Sequence, residues 1–228
     1  MFYATELIHI SIDTKYILDY NGSVNLTAFL ASARTAVFVY MNEEERVFVF
    51  IDGNNFYFKL KDLSSQIEGK ISLLNFKFRA FSEQLINPHI LVGVHYYIGA
   101  LKRQRGNAKS EKMYADQQRL IANLQQQHVT VTLGQLIQHP DKSFHEKGVD
   151  VRLAVEMIRF AREDKYDTAY LLSSDTDLIA AVEEVKSFGK KVVYVGIAKG
   201  QSFGLTKTAD NVILLRLEDI KPFLPKVL

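Results

Sequence analysis

One apolar run that ends in an acid constrains this chain more than any other feature. Residues 47–51 are β-branched or aromatic without interruption, a pattern typical of a strand buried on both faces of a parallel sheet. Asp52 and Gly53 follow directly, and ligands of open α/β sheets bind outside the carboxyl ends of the strands. Asp52 is therefore the first candidate for chemistry. An Asp-Gly turn with Asn54 or Asn55 capping a helix would give the same residues, and this alternative stays open.

Composition excludes several kinds of site. The 228-residue chain has no cysteine, which removes disulfides, thiolate zinc sites and cysteine nucleophiles and suits a reducing cytoplasm. A metal would need carboxylate, amide or histidine ligands, and ligation by oxygen alone favours Mg²⁺ or Mn²⁺. The net charge is only +2, so any attraction to nucleic acid must come from a local basic surface. No apolar run reaches membrane length, and we expect a soluble, cytoplasmic protein without a membrane partner.

Five further runs of strand-forming residues follow, separated by helical or polar segments. They span residues 90–97, 129–133, 169–172, 192–196 and 212–215. Strands that alternate with helices over crossovers of this length predict a parallel sheet covered on both faces. We therefore predict an α/β fold, a three-layer α/β/α sandwich with a mostly parallel central sheet.

The segments between these strands are predicted in less detail. Residues 134–146 are polar and contain Pro140 and His145, so we interpret them as a polar connection between elements. Two helices are expected to bury apolar faces. These faces comprise Met113, Leu120 and Leu124 in the first helix and Val151, Val155, Ile158 and Phe160 in the second.

The positions of the acids relative to the predicted strands and helices are informative. Four of them close a strand or open a helix and therefore face the same edge of the sheet: Asp52, Asp150, Asp175 and Asp177. Asp164 and Asp167, by contrast, end a helix and precede a strand, so they face the opposite edge. Clustered carboxylates repel one another unless a cation binds between them. Mg²⁺ is a common cation in such sites. Each acid also suits a helix N-terminus by itself.

Three short segments contain the four acids: Ile-Asp-Gly-Asn-Asn at 51–55, Lys-Gly-Val-Asp-Val at 147–151 and Ser-Asp-Thr-Asp-Leu at 174–178. Together they resemble an NYN domain, a member of the PIN-like nuclease superfamily, and most closely its bacterial LabA-like group. Further agreement lies at 189–192, Ser202, Leu205 and 209–210. The resemblance covers residues 46–216. It implies an NYN (PIN-like, Rossmann-like) domain over residues 46–228, preceded by an extension at 1–45 whose role it leaves unexplained. Met41 as the natural start is the alternative.

The resemblance also implies roles for the acids. Asp52, Asp150 and Asp175 would hold a divalent metal, and Asp177 would be a further ligand or the base that orients a water. In the family's usual sheet the first and fourth strands are neighbours, which would bring Asp52 beside Asp175.

Several residues are candidates for contact with RNA. Lys147 would approach a phosphate, although a lysine before a helix is more often only solvated. Asn54 and Asn55 would hold metal-bound water or cap a helix. A basic cluster, flanked by Tyr96 and Tyr97 as stacking surfaces or strand core, comprises Lys102, Arg103 and Arg105.

Two kinds of function follow from this sequence. The first is a metal-dependent ribonuclease that hydrolyses RNA phosphodiester bonds at the aspartate cluster. The second is a catalytically weak or inactive NYN module that binds RNA or a protein partner. A small phosphate-ester hydrolase is disfavoured because no segment predicts a deep nucleotide pocket. The oligomeric state stays open, a homodimer included.

Overall fold

A computed structural model describes residues 44–64, 73–138 and 144–225. These residues lie within one compact unit, Glu44–Leu228. Residues 1–43, which form nearly all of the predicted N-terminal extension, are outside the described part of the chain.

The described residues contain eight strands. Their bounds are β1 Arg46–Asp52, β2 Ile90–Ile98, β3 Thr130–Leu133, β4 Gln135–Gln138, β5 Phe144–Lys147, β6 Thr168–Leu172, β7 Lys191–Ile197 and β8 Asn211–Leu215. Six of them form an all-parallel sheet in the order β3-β2-β1-β6-β7-β8. The prediction of a parallel sheet, with the first and fourth predicted strands as neighbours, is confirmed.

Helices occupy the crossovers between these strands. Their bounds are α1 Gly53–Ser64, α2 Phe78–Ile86, α3 Ala108–Gln126, α4 Val149–Arg162, α5 Ile179–Ser187, α6 Phe203–Thr208 and α7 Leu217–Ile220. A 3₁₀ turn, Thr176–Leu178, lies between β6 and α5. None of the helices in the described ranges combines the length and apolar character needed to cross a bilayer.

The central strand β1 organises both layers of the core. Val47, Val49 and Ile51 are buried on one face against α1, α2 and α3. Phe48 and Phe50 are buried on the other face, against α4 and its neighbours. Successive side chains of a strand point to opposite faces, so an unbroken apolar strand needs cover on both sides. The predicted three-layer α/β/α arrangement is confirmed.

The polar connection predicted for residues 134–146 contains two short strands where the chain is described. β4 and β5 pair in an antiparallel hairpin, with Gln135 opposite Lys147 and Gln138 opposite Phe144. The polar composition concealed the hairpin because a two-stranded ribbon outside the main sheet needs few buried side chains. Its last residue, Lys147, leads directly to the start of α4.

The predicted apolar face of α3 is wrong at one position. Met113 is exposed, whereas Gln117 is buried. The Gln117 amide donates to the carbonyl oxygen of Gly99 at 2.7 Å and accepts from the N–H of Leu101 at 3.0 Å. Because buried backbone groups need partners, a polar side chain occupies this core position and anchors the loop after β2.

The predicted apolar face of α4 also needs correction. Val151 and Val155 are exposed, and Glu156 is buried instead. The hydroxyl of Tyr97 donates to Glu156 Oε2 at 2.8 Å, and Arg152 pairs with the other carboxylate oxygen at 3.2 Å. A buried acid is tolerated when it is hydrogen-bonded and paired, and this one joins α4 to β2.

Asp164 and Asp167 lie at the amino-terminal edge of the sheet, as predicted, and the structure shows in addition that both are paired with basic residues. Arg46 begins β1 and donates to both carboxylate oxygens of Asp167, at 2.8 and 3.0 Å. Its guanidinium also contacts Asp164 at 3.1 Å. The Arg46 hydrogen bonds hold the pKa of Asp167 down at about 2.

We predict that residues 41–228 fold without the preceding segment, because both core layers are built from elements that begin at Arg46. Circular dichroism should show a cooperative melt for this fragment at a Tm close to that of the full chain. A fragment of residues 53–228, which lacks the central strand, is the control and should not fold. An unfolded 41–228 fragment beside a folded full chain would make the extension part of the core.

Candidate active site at the carboxyl ends of the central strands

The strand order reverses between β1 and β6. From β1 the chain moves to β2 and β3 on one side, and from β6 it moves to β7 and β8 on the other. A crevice opens at such a switch point, outside the carboxyl ends of the strands. Asp52 ends β1 there, and Ser173 follows the last residue of β6.

Asp52 is a buried acid with two hydrogen-bond donors. Only 5% of the residue is exposed. Its Oδ1 accepts from the backbone N–H of Asn55 at 3.0 Å, and its Oδ2 accepts from the hydroxyl of Ser173 at 2.9 Å. Burial raises the pKa of the Asp52 carboxyl, these hydrogen bonds oppose the rise, and the negative charge of Asp175 adds to it. The ionised form is therefore at a disadvantage that a cation would relieve.

Gly53 allows helix α1 to begin directly after this acid. A Cβ at this position would lie 2.7 Å from the carbonyl oxygen of Tyr97 and closer still to the ring of Tyr96, so a larger residue would displace β2. Asp52 thereby becomes the N-cap of α1 through its bond to Asn55. The alternative in which Asn54 or Asn55 caps the helix is wrong, because both residues lie inside the first turn of α1. Capping by Asp52 uses only one of its two carboxylate oxygens.

Ser173 joins two of the predicted acids. Besides donating to Asp52, its hydroxyl accepts from the backbone N–H of Asp175 at 3.1 Å. The Asp175 carboxylate in turn accepts from the N–H of Asp177 at 3.0 Å and caps the 3₁₀ turn. Sequence reasoning missed Ser173, although a serine directly after a buried strand and two residues before an acid is a recognisable signal.

Asp150 approaches the same region from a third element. Gly148 has a left-handed φ of 82°, which glycine adopts without strain, and the chain turns there from β5 into α4. Asp150 lies in the first turn of α4, where the helix dipole favours negative charge.

These elements enclose a single acidic cleft of about 260 Å³. Three of the four predicted acids line it. The full lining is Asp52, Asn54, Asn55, Phe58, Val149, Asp150 and Asp175. Asp177 is exposed on the 3₁₀ turn and does not belong to this lining. We name this site the acidic cleft.

The polar side chains of the acidic cleft offer a metal ion only carboxylate and amide oxygen atoms. These are the ligands that Mg²⁺ and Mn²⁺ prefer. In the described ranges, no three acidic or histidine side chains come close enough to enclose one ion. Mg²⁺ commonly takes one or two carboxylates and completes its shell with water and substrate phosphate. The cleft fits that mode of binding rather than a closed protein cage.

Tyr96 and Tyr97 are not stacking surfaces. Both are buried, at 1% and 0% exposure. The Tyr96 hydroxyl donates to the carbonyl oxygen of Gly53 at 3.3 Å, and Tyr97 binds Glu156. Their alternative interpretation as strand core is the one that holds, because β2 is covered on both faces at this point.

The predicted basic residues lie at the same edge of the sheet as the acids. Lys102, Arg103 and Arg105 are exposed in the loop between β2 and α3, which leaves the sheet beside Asp52. Arg103 pairs with Glu111 at 3.4 Å. Lys147 is exposed at the end of β5, just before α4. None of these four lines the acidic cleft.

Comparison with known proteins agrees with this geometry. The family model described as "NYN domain" matches residues 46–216, well over half of the chain. The chain belongs to the NYN domain family. NYN domains are part of the PIN-like superfamily, whose members have a nuclease-type fold. Membership of the LabA-like group stays a prediction.

Two individual relatives add little about activity. A crystal structure of a protein of unknown function from Vibrio parahaemolyticus superposes with a TM-score of 0.56 and 22% identity, covering 81% of this chain and 98% of that one. This likeness shows the fold alone. An uncharacterized protein of Methanocaldococcus jannaschii is 35% identical over 65 residues, which span 28% of this chain and 27% of the relative.

We predict that Ser173→Ala destabilises the protein by about 2 kcal/mol, because it removes a hydrogen bond from a buried carboxylate. Urea unfolding of the metal-free protein measures this change. Ser187→Ala is the matched control, since that hydroxyl is exposed at the end of α5, and it should have almost no effect. Equal stabilities of the two variants would show that Ser173 does not support Asp52.

Proposed function

We propose that this NYN protein is a divalent-metal-dependent ribonuclease that hydrolyses RNA phosphodiester bonds in the cytoplasm. The observation that carries the proposal is the meeting of Asp52, Asp150 and Asp175 in one cleft at the β1/β6 switch point. NYN domains generally act as ribonucleases, which supports the same reaction class.

Each acid has a distinct part in the proposed mechanism. Asp52, Asp150 and Asp175 would supply carboxylate oxygens to Mg²⁺ or Mn²⁺, one or two to each ion, and water and substrate phosphate would complete the metal shell. When bound, such an ion polarises a phosphoryl oxygen and lowers the pKa of bound water. Ser173 holds the Asp52 carboxylate and the backbone of Asp175 in a fixed relation through its two hydrogen bonds.

Two neighbouring groups complete the proposed site. Asp177, two residues after Asp175, would accept a proton from the attacking water or serve as a further ligand. Asn54 and Asn55 line the cleft, and their side-chain amides would orient water or a phosphate oxygen.

Basic residues at the same sheet edge would hold the RNA backbone. Lys102, Arg103 and Arg105 project from one loop and Lys147 from the turn before α4. Phosphate contacts from lysine and arginine position nucleic acid without reading its sequence. In this protein they would guide the strand towards the cleft rather than perform chemistry.

A binding module with little or no turnover is the second candidate. One observation favours it: in the described ranges no three acids or histidines enclose one ion position, and Asp52 already uses both oxygens in hydrogen bonds. Such a module would retain the cleft and bind RNA or a protein partner.

Asp175→Asn should abolish RNA cleavage in Mg²⁺ or Mn²⁺ while leaving the fold intact. Asn is nearly isosteric with Asp but lacks the charge that anchors a hard cation. Cleavage of end-labelled RNA measures the effect, with Asp116→Asn in α3, outside the lining of the acidic cleft, as the control. Wild-type protein that binds RNA without cleaving any tested substrate would favour the binding module. If both Asp52→Asn and Asp175→Asn cleave RNA as well as wild type, the acidic cleft is not the active site.

Replacing the basic loop should have the complementary effect. The triple variant Lys102→Gln, Arg103→Gln, Arg105→Gln should weaken RNA binding at low salt, and the slope of log affinity against log salt should fall by about 2. Metal affinity in the cleft should not change. The control triple of Arg159→Gln, Arg162→Gln and Lys165→Gln removes equal charge near the other end of α4. If both triples reduce binding equally, the loop has no special role.

A further inference from the structure

One exposed aromatic residue is unexplained by the fold. Phe58 is 62% exposed and lies in the lining of the acidic cleft. Val149, the other apolar residue of this lining, is only 6% exposed. Phe58 is therefore the one exposed apolar side chain in the described wall of a site made otherwise of carboxylates and amides.

The helix that carries Phe58 does not use it for packing. Phe56, Leu60 and Leu63 are the buried residues of α1, at the spacing of one helix face. Phe58 lies on the opposite face, which carries it away from the core. The ring of Tyr57 contacts the Phe58 ring edge-on at 5.5 Å between centroids, and this contact restricts the orientation of Phe58.

We propose that Phe58 is a stacking platform for one unpaired base of the RNA whose phosphate reaches the acids of the cleft. This inference rests on the proposed function and adds a binding subsite to it. Base faces stack on aromatic side chains irrespective of sequence. A base inside an A-form duplex is already stacked on both sides and cannot offer its face. Phe58 would thus make the site prefer single-stranded RNA without selecting a particular base.

The composition of the cleft favours a base over an apolar protein segment. Five of its seven lining residues carry carboxylates or amides, which an apolar segment would desolvate without giving them partners. A nucleotide matches both parts of the wall, because its base is apolar on its faces and its phosphate suits a cation held by carboxylates.

The test measures binding without turnover. The full-length protein is mixed, in Ca²⁺ instead of Mg²⁺, with a short single-stranded RNA that carries a fluorescent adenine analogue at successive positions. Stacking of the analogue on Phe58 should quench its fluorescence at one position. Phe58→Leu keeps the apolar volume and removes the π face, so we expect the quenching to vanish and the Kd for single strands to rise roughly tenfold. Phe58→Tyr should retain both properties.

Two controls separate stacking from a general loss of binding. Phe188→Leu changes an exposed phenylalanine at the far edge of the sheet, after α5, and should bind like wild type. Affinity for a duplex of the same sequence should be the same in all variants. Equal quenching and equal Kd in wild type and Phe58→Leu would overturn the proposal. So would a loss that is equal for single strands and duplex, or one that Phe58→Tyr fails to restore.

The outcome is distinguishable from failure of the ribonuclease assignment. If Phe58→Leu cleaves RNA in Mg²⁺ and keeps the preference for single strands, the stacking proposal is wrong and the ribonuclease assignment stands. If the quenching is position-specific and depends on Phe58 but the protein cleaves no RNA, the stacking proposal stands and the ribonuclease assignment is wrong.

Discussion

The burial of a carboxylate at the end of the central strand is the constraint on which the site depends. β1 is covered on both faces, and its last residue, Asp52, is only 5% exposed. Burying an unpaired charge is costly. The structure offsets part of that cost with the N–H of Asn55 and the hydroxyl of Ser173. The start of α1 and the end of β6 are therefore positioned by the same acid.

Acids at the two ends of β1 differ in whether basic side chains pair with them. At the amino-terminal edge, Asp167 and Asp164 are matched by Arg46 and Lys190. At the carboxyl-terminal edge, the described residues form no ion pair with Asp52 or Asp175. A fold that neutralises acids at one edge is able to do so at the other. The proposed metal ion would bring to this edge the positive charge that the described residues do not supply to Asp52 and Asp175.

Most of the fold was predictable from the sequence because the strands of the main sheet are strongly apolar and regularly spaced. The edge of the sheet at which each acid lies was predicted correctly. The end of a strand or the start of a helix determines that edge, and no knowledge of side-chain contacts is needed. The neighbour relation of β1 and β6 came only from the family resemblance. Gln117 and Glu156 were not predictable as core residues, because their burial depends on backbone and hydroxyl partners that are distant in sequence. Phe58 was overlooked among nearby phenylalanines, although the spacing of Phe56 and Leu60 already excludes it from their helix face.

Ser173 makes the site more than a group of independent acids. A single hydroxyl donates to Asp52 and accepts from the backbone of Asp175, so a shift of either residue disturbs the hydrogen bonding of the other. The Asp175 charge also acts on Asp52 and raises its pKa. A metal ion bound in the proposed way would therefore compete with a proton for the Asp52 carboxylate. This coupling would let the proposed cation act on both residues at once, which independent surface acids would not allow.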